Sequence, residues 1–406
     1  MKFLFVLDSV EAPQAVNPQL GRRLAGQLAR FGHVVRLLEL WDGQTPPPAP
    51  PAGVGMDDRT FNDERLMNAA LENGRKGGSP VPLRLAWLAA HPGAAAAAFR
   101  QLVLHKPRRQ VEAQRAIEAL DAAYHFDYVV AVCAPYRAAF ALESAAIGAK
   151  KVLWQLDPYA ANKEYAAPGG AGREAALLSA MAASFITPQA LPDYGAGPLA
   201  ACRDKVHVLE FPSLLRCDTP PARHPQLRCV FCGSLYPALR TPGFALQLFS
   251  ALAMPGVELV MAGGGWQPFT TEAQAAQRAM RERLSILGPV SPARARELLE
   301  GADVLLSIGN AVDNQIPSKI FEYFGLGKPI LHLAYTDADP VLPLLQQYPL
   351  AFTLRAEDGA TELALAALHG WLNDHGRATL PYTEVVRLFP AYTPAAVADK
   401  FLDCLL

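Results

Sequence analysis

Apolar runs of five to seven residues alternate with amphipathic stretches along most of the chain. Lys2 to Leu7 is a run of strand length, Pro18 to Phe31 carries Leu20, Leu24, Leu28 and Phe31 at helical spacing, and Val34 to Leu40 is a strand again. This β-α-β opening predicts a parallel sheet with right-handed crossovers. Trp41 to Gly55 is proline-rich and reads as a loop, and Asp57 to Asp121 reads as helices broken at Gly77-Gly78-Ser79-Pro80 and Pro92-Gly93. Tyr128 to Cys133, Lys151 to Gln155, Ser184 to Thr187 and Val206 to Leu209 complete the strands of the first half. Glu210 to Gln226, with Pro212, Pro220, Pro221 and Pro225, reads as a linker. A second series follows: strands at Arg228 to Cys232, Glu258 to Met261, Leu284 to Leu287, Val304 to Ile308, Ile330 to Leu333 and Ala351 to Leu354. Helices fall between them at Gly243 to Ala253, Pro292 to Glu300 and Ser318 to Phe324, and Pro394 to Leu406 forms a last helix. The pattern predicts an α/β protein of two doubly wound, Rossmann-like halves. Residues 1–212 and 213–385 form the domains, residues 386–406 cross back to the first, and ligands are expected at the carboxyl ends of the strands, in a cleft between the halves.

The richest local chemistry lies from Ile316 to Ile330, which reads as a loop, a short helix and the start of a strand. Pro317 suits a first helical turn, where its missing N–H costs nothing. The unused N–H groups of that turn favour an anion, to which Ser318 adds a hydroxyl and Lys319 a cation. Glu322 lies one turn, ~5.4 Å, deeper on the same face. A carboxylate there repels phosphate but accepts hydrogen bonds from both hydroxyls of a ribose. Gly327 ends the helix and Pro329 blocks its continuation. The segment is shaped for a nucleoside diphosphate.

A net charge of −1 gives no electrostatic case for nucleic acid. No apolar run reaches the ~18 residues of a membrane span, and Asp8 interrupts the first run too early for a secretory signal. A cytoplasmic protein is expected. Cys229 and Cys232 form a C-x-x-C, but in a strand, where residues three apart point to opposite faces and cannot share a metal or a disulfide.

The second half resembles the donor domain of GT-B glycosyltransferases, in particular the family 4 group of retaining enzymes. The resemblance rests on three segments in the family's order, over most of residues 228–335: Phe231-Cys232-Gly233-Ser234-Leu235 followed by Arg240-Thr241-Pro242-Gly243, Leu284 to Val290 with the helix after it, and Ile316 to Ile330. Lys150 to Pro158 is similar to a strand-plus-Asp-Pro segment of the acceptor domain. The resemblance implies that Gly233, Ser234 and Arg240 border the donor diphosphate and that Gly288 borders the base. It assigns Pro317, Ser318, Lys319 and Glu322 to the donor. Of the family's two glutamates, Glu322 is present, but Asn314 stands at the position of the first, which excludes a covalent intermediate there and leaves an amide for a sugar hydroxyl. Ser234 replaces a basic residue, so Arg240 and Lys319 must supply the charge.

Other features read more plainly. Gly263-Gly264-Gly265 fails as a dinucleotide fingerprint, because Pro268 replaces the third glycine and no helix is expected there, and it reads as a packed turn. Asp337-Ala338-Asp339 reads as a loop or cap rather than a metal motif. Asp157 either caps a helix beside Pro158 or faces the ligand. The basic run His105-Lys106-Pro107-Arg108-Arg109 reads as a solvated loop, or as a contact for anionic lipid or a lipid-linked acceptor at the inner face of the membrane.

The resemblance implies a metal-independent glycosyltransferase. It would move a sugar from a nucleotide sugar, a UDP- or GDP-sugar, to a hydroxyl of a saccharide or lipid-linked acceptor, with retention, in polysaccharide or glycolipid synthesis. Arg240, Lys319 and Asn314 would act at the reacting groups, and no cofactor is expected. Two other classes share the fold: a nucleotide-sugar 2-epimerase, for which no acid/base set is evident, and a silent nucleotide-sugar-binding protein.

Overall fold

Each half of the chain folds around one parallel sheet, because its central strands are apolar on both faces and the amphipathic segments between them supply the covers. A computed structural model describes residues 1–9, 16–41, 46–60, 108–160, 169–217, 224–312 and 316–406. Asn314 and the side chains of the basic run at 105–109 lie outside the described residues.

The first sheet comprises β1 (Lys2–Ser9), β2 (Val34–Trp41), β3 (Val54–Thr60), β4 (Tyr128–Cys133), β5 (Lys150–Gln155), β6 (Ala183–Ile186) and β7 (Val206–Val208). They are ordered β3-β2-β1-β4-β5-β6-β7, and every pair is parallel. Helix α1 (Val16–Arg30) buries Leu20, Leu24 and Leu28 completely. Phe31, expected on the same stripe, lies just beyond the helix and is 39% exposed. There Gly32, at φ +86°, ends the helix as the N–H groups of Gly32 and His33 turn back to Ala29 and Leu28. Further helices of this half are α2 (Arg108–Tyr124), α3 (Arg137–Ser144) and α4 (Gly170–Ser179).

Strand β3 corrects the sequence reading, which had a loop to Gly55 and helices from Asp57. It pairs with β2 alone, so it is an edge, and an edge strand tolerates charge. Its Asp57 accepts from Arg36 Nε and Nη2 at 3.0 and 2.7 Å, and its Asp58 accepts from Trp41 Nε1 at 2.9 Å. Val54-Gly55-Met56-Asp57-Asp58 carries only two apolar positions, Val54 and Met56, too few to reveal a strand.

The second sheet comprises β8 (Leu227–Cys232), β9 (Val257–Ala262), β10 (Leu284–Gly288), β11 (Val304–Ile308), β12 (Ile330–Ala334) and β13 (Ala351–Arg355). The order is β10-β9-β8-β11-β12-β13, again parallel throughout. Its helices are α5 (Gly243–Ala251), α6 (Thr270–Met280), α7 (Pro292–Glu300), α8 (Lys319–Leu326), α9 (Leu342–Leu345), α10 (Glu362–His375) and α11 (Tyr382–Leu388). Helix α6 is a second correction: a helix does start just after Pro268. Its buried stripe is Ala273, Ala276 and Met280, and alanine writes a weak hydrophobic period.

The chain divides into two units, Met1–Pro212 together with Val397–Leu406, and Ser213–Ala396. The last helix, α12 (Pro394–Asp403), thus ends in the first unit. Phe401 is fully buried, with ring centroids 6.1 Å from Phe3, 6.2 Å from Phe5 and 4.7 Å from Phe185. Tyr128 donates its hydroxyl to the carbonyl of Leu405 at 2.7 Å, and Lys400 pairs with Glu210 at 2.9 Å. Residues 382–392 stay in the second unit, where Phe389 stacks on Phe324 at 4.3 Å and Tyr392 on Phe321 at 4.0 Å.

Emptying this aromatic cluster leaves a cavity in a closed core, so Phe401→Ala is expected to cost about 3–5 kcal/mol. Urea denaturation followed by circular dichroism should show the earlier midpoint. Leu406→Ala, at a side chain 90% exposed, should leave the midpoint unchanged.

Candidate nucleotide site

In the second sheet β8 comes first in sequence and lies between β9 and β11, so the chain reverses its winding at the β8–β11 boundary. Ligands of open parallel sheets sit at the carboxyl end of such a switch point. The segments that meet there are 233–242, after β8, and 309–312 with 316–318, after β11.

Glycines let these turns approach one another. The N–H of Gly233 donates to Ala262 at 2.9 Å, and that of Gly263 donates to Gly288 at 2.7 Å. Gly263 has φ +139°, and a Cβ on it would overlap the carbonyl oxygen of Gly233. Gly265 has φ +87°, and a Cβ there would overlap the carbonyl of Leu235. The triple glycine is a packed turn, as its sequence suggests. Gly288 sits beside it at φ +63°, at the end of β10.

The loop after β8 folds on itself through reciprocal backbone bonds between Tyr236 and Arg240, at 2.9 and 2.8 Å. The loop after β11 is tied to it by Ala311 N–H donating to Leu239 at 2.7 Å. Next to this tie, Asn310 Oδ1 accepts from Arg240 Nη2 at 2.7 Å and Nε at 3.2 Å. Burial lowers the pKa of the Arg240 guanidinium from its ordinary value, while Tyr323, Tyr236 and Asp339 act in the other direction.

Lys319 opens helix α8 and donates from Nζ to the carbonyl of Cys232 at 2.8 Å. Its ammonium therefore lies at the carboxyl end of β8, beside the Gly233 turn. Burial pushes the Cys232 thiol up to about 11 against the opposing pull of Lys319. Structure and sequence reading differ at the start of this helix. Pro317 precedes the α-helix rather than opening it, because its carbonyl and that of Ser318 take the N–H groups of Ile320 and Phe321, at 3.0 and 3.3 Å. Two of the donors expected for an anion are thus turned into the helix, and more of the positive charge falls to Lys319 and Arg240. Gly327 ends α8 at φ +65°, as expected.

Glu322 is half-buried on α8, one turn beyond Lys319, and interacts electrostatically with Arg296 of α7. Ser234 is exposed, while Gly233, Pro317 and Ser318 are half-buried. The structure thus gathers Gly233, Arg240 and Lys319 at one strand end.

Sequence reasoning missed Asn310 and Tyr323. Tyr323 is buried with its hydroxyl toward the carbonyl of Leu306, and burial holds that hydroxyl far above its ordinary pKa. The one local signal for Asn310 was an amide two residues past an apolar strand. Beneath the loops, His332 is wholly buried between Ser307 Oγ, 2.9 Å from Nδ1, and Asp339 Oδ2, 3.1 Å from Nε2. Asp339 Oδ1 accepts from the Val341 N–H at 2.9 Å, and exposed Asp337 pairs with Arg355. Among the described residues no group of three or more His, Cys, Asp or Glu could hold a metal ion.

In the first unit the switch point lies between β1 and β4. Arg137 donates to Asp8 there at 3.0 Å, and Asn17 donates to the carbonyl of Ala134 at 3.0 Å and to Asp157 Oδ2 at 3.1 Å. The backbone carbonyl of Asp157 accepts from Tyr136 at 2.6 Å. Residues 157–160 are bends rather than a helix.

No family model matches the chain, and neither does any curated protein. Solved structures do. HepE from Anabaena in complex with UDP has a TM-score of 0.60 and 13% identity, over 100% of this chain and 99% of that one. A sucrose-phosphate synthase from Thermosynechococcus elongatus has a TM-score of 0.61 and 14% identity, over 99% and 98% of the two chains. A UDP-GlcNAc 2-epimerase from Neisseria meningitidis, bound to UDP-GlcNAc, has a TM-score of 0.56 and 11% identity, over 100% and 99%. The chain has the GT-B fold, a pair of Rossmann-like α/β sheets, common to transferases and epimerases.

The glycine contacts give neighbouring substitutions opposite outcomes. Gly263→Ala collides with backbone and strains φ, so a loss of about 2 kcal/mol or more is expected. Gly264→Ala would place its Cβ 3.8 Å from Pro289, an ordinary contact, and should be near neutral. Thermal unfolding of the two variants checks the contrast.

Proposed function

We propose that this protein is a metal-independent, retaining glycosyltransferase that moves a sugar from a nucleoside-diphosphate sugar to a hydroxyl of a saccharide or lipid-linked acceptor. The observation that carries the reading is the convergence of two cations, Lys319 and Arg240, on the glycine turn at the carboxyl end of β8. Such an arrangement suits a diphosphate, whose negative charge grows as the sugar departs. Glu322, one turn deeper, would take the ribose, Gly288 would border the base, and Ser318 and Ser234 would line the diphosphate. The likeness to proteins solved with UDP and with UDP-GlcNAc supports a nucleotide sugar as the ligand class.

In the proposed reaction the bond between the anomeric carbon and the diphosphate oxygen breaks. The acceptor oxygen bonds to the same face of that carbon, and its proton passes to the departing diphosphate. Arg240 and Lys319 stabilise the charge on that leaving group. Asn314, at the position of the absent glutamate, is proposed to meet a sugar hydroxyl. No described helix is long and apolar enough to cross a membrane. A lipid-linked acceptor is proposed to be met at the inner face of the membrane.

Incubation with donor alone and then with acceptors separates the reaction classes. A transferase consumes donor when an acceptor is present, an epimerase alters donor alone, and a silent binder leaves both intact. Transfer should survive excess EDTA, and a strict metal requirement would overturn the mechanism. Glu322→Gln removes a charged hydrogen-bond acceptor worth ~1.5–3 kcal/mol, so nucleotide affinity should fall about tenfold or more by calorimetry. Arg240→Ala should fall comparably, and unchanged affinity in both variants would remove the site from this position.

A further inference from the structure

We propose that Asn310 is a positioning residue for Arg240, a neutral acceptor that aims the guanidinium at a diphosphate without cancelling its charge. The inference rests on the nucleotide site proposed above. Asn310 is 4% exposed, and its Oδ1 takes one hydrogen from Nε and one from Nη2 of Arg240. A guanidinium carries five N–H donors in a rigid plane, so the end formed by Nη1 and the second Nη2 hydrogen keeps its donors for another partner. That end is next to the phosphate turn: a Cβ on Gly233 would lie 3.6 Å from Nη1.

The backbone holds Asn310 in place from both sides. The N–H of Gly309 donates to Leu333 at 2.9 Å, and a side chain at 309 would overlap Asp339. The N–H of Ala311 donates to Leu239, the residue before Arg240. Both loops of the switch point are thereby set in register at the amide–guanidinium contact.

The choice of an amide departs from how this chain seats several of its other arginines, although Arg203 and Arg283 rest on the backbone carbonyls of Val206 and Met254. Arg22 rests on Glu39, Arg36 on Asp57, Arg137 on Asp8, Arg173 on Glu143 and Arg228 on Glu258. Each is an ion pair in which the carboxylate neutralises the cation. Arg240 instead rests on a carboxamide, and Lys319 on a backbone carbonyl. Both oxygens of Asp339, the carboxylate that acts on Arg240 electrostatically, are engaged, by Val341 N–H and by His332. Neutral seats fix two cations while leaving their charge for an anionic ligand. A carboxylate at 310 would hold the same geometry and cancel the field.

The test compares nucleoside diphosphates with monophosphates. UDP, GDP and ADP, each beside its monophosphate, are titrated by calorimetry into the full-length protein and into Asn310→Asp, Asn310→Ala, Arg240→Ala and the double variant Arg240→Ala/Asn310→Ala. Asn310→Asp is isosteric, and its diphosphate-to-monophosphate affinity ratio should fall about tenfold. Asn310→Ala should lower the ratio less, by about threefold, because orientation is lost but charge is kept, with no further fall when Arg240 is already absent. Thermal unfolding without nucleotide verifies that each variant is folded, and Asn310→Ala carries the test if Asn310→Asp is not. A ratio unchanged in both single variants, or an equal fall from Asn310→Ala in the Arg240→Ala background, overturns the inference and leaves the nucleotide site standing. If the parent binds no nucleotide at millimolar concentration, the site reading falls, and the inference with it.

Discussion

The carbonyl oxygen of Gly233 occupies the space that the first side-chain carbon of residue 263 would need, and the rest of the second unit's working edge follows from that contact. Because the turn after β9 closes directly on the turn after β8, the carboxyl ends of β8, β9 and β10 finish at one level. Gly288 continues the row, with its carbonyl accepting from Gly263. Gly233, Gly263 and Gly288 carry no side chain at these strand ends. The carbonyl of Cys232 is left for the ammonium of Lys319 rather than buried under a side chain.

Charge at this edge is arranged by its seats as much as by its cations. A buried guanidinium needs acceptors for its N–H groups, since burial without them is costly. A carboxylate is the answer at Arg22 and Arg137, and it also neutralises. Here an amide oxygen takes two of the Arg240 donors and a peptide oxygen takes the Lys319 ammonium, and neither acceptor neutralises the cation. Two acidic residues of the loop after β12 are spent elsewhere, Asp339 on His332 and on the backbone, and Asp337 on Arg355.

Helix α8, which carries Lys319 and Glu322, is fixed from beneath. Phe321 and Phe324 stack on Tyr392 and Phe389, and Gly325 and Gly327 lie so close to the carbonyls of Leu215 and Leu380 that a side chain at either would overlap them. Those partners come from the two ends of the second unit's own chain, residues 213–216 and 380–392. The helix is only eight residues long, so its direction comes from this packing rather than from helical propensity. A short helix clamped at its base can present its first turn with little freedom, which is what an ion site requires.

Much of this was legible along the chain, because strands, caps and periods are written in residues at most four or five apart. The strands of the second half appear within one residue of where their apolar runs predict. The Gly327 stop, the buried C-x-x-C strand and the cap role of Asp339 also follow from local chemistry. Strand β3 and helix α6 did not appear, since a charged edge strand and an alanine stripe leave the local pattern nearly silent. The start of α8 moved past Pro317 because the bonds of Ile320 and Phe321 close on the two residues before it. The partner of Arg240 lies 70 residues away and could be named only once β11 was laid beside β8. The sequence by itself determined two parallel sheets, a glycine turn after β8 and which side chains could carry charge. The tertiary structure decided which of those charges meet, and on what neutral atoms they rest, because strand order and crossover packing bring distant loops together and no local spacing encodes that.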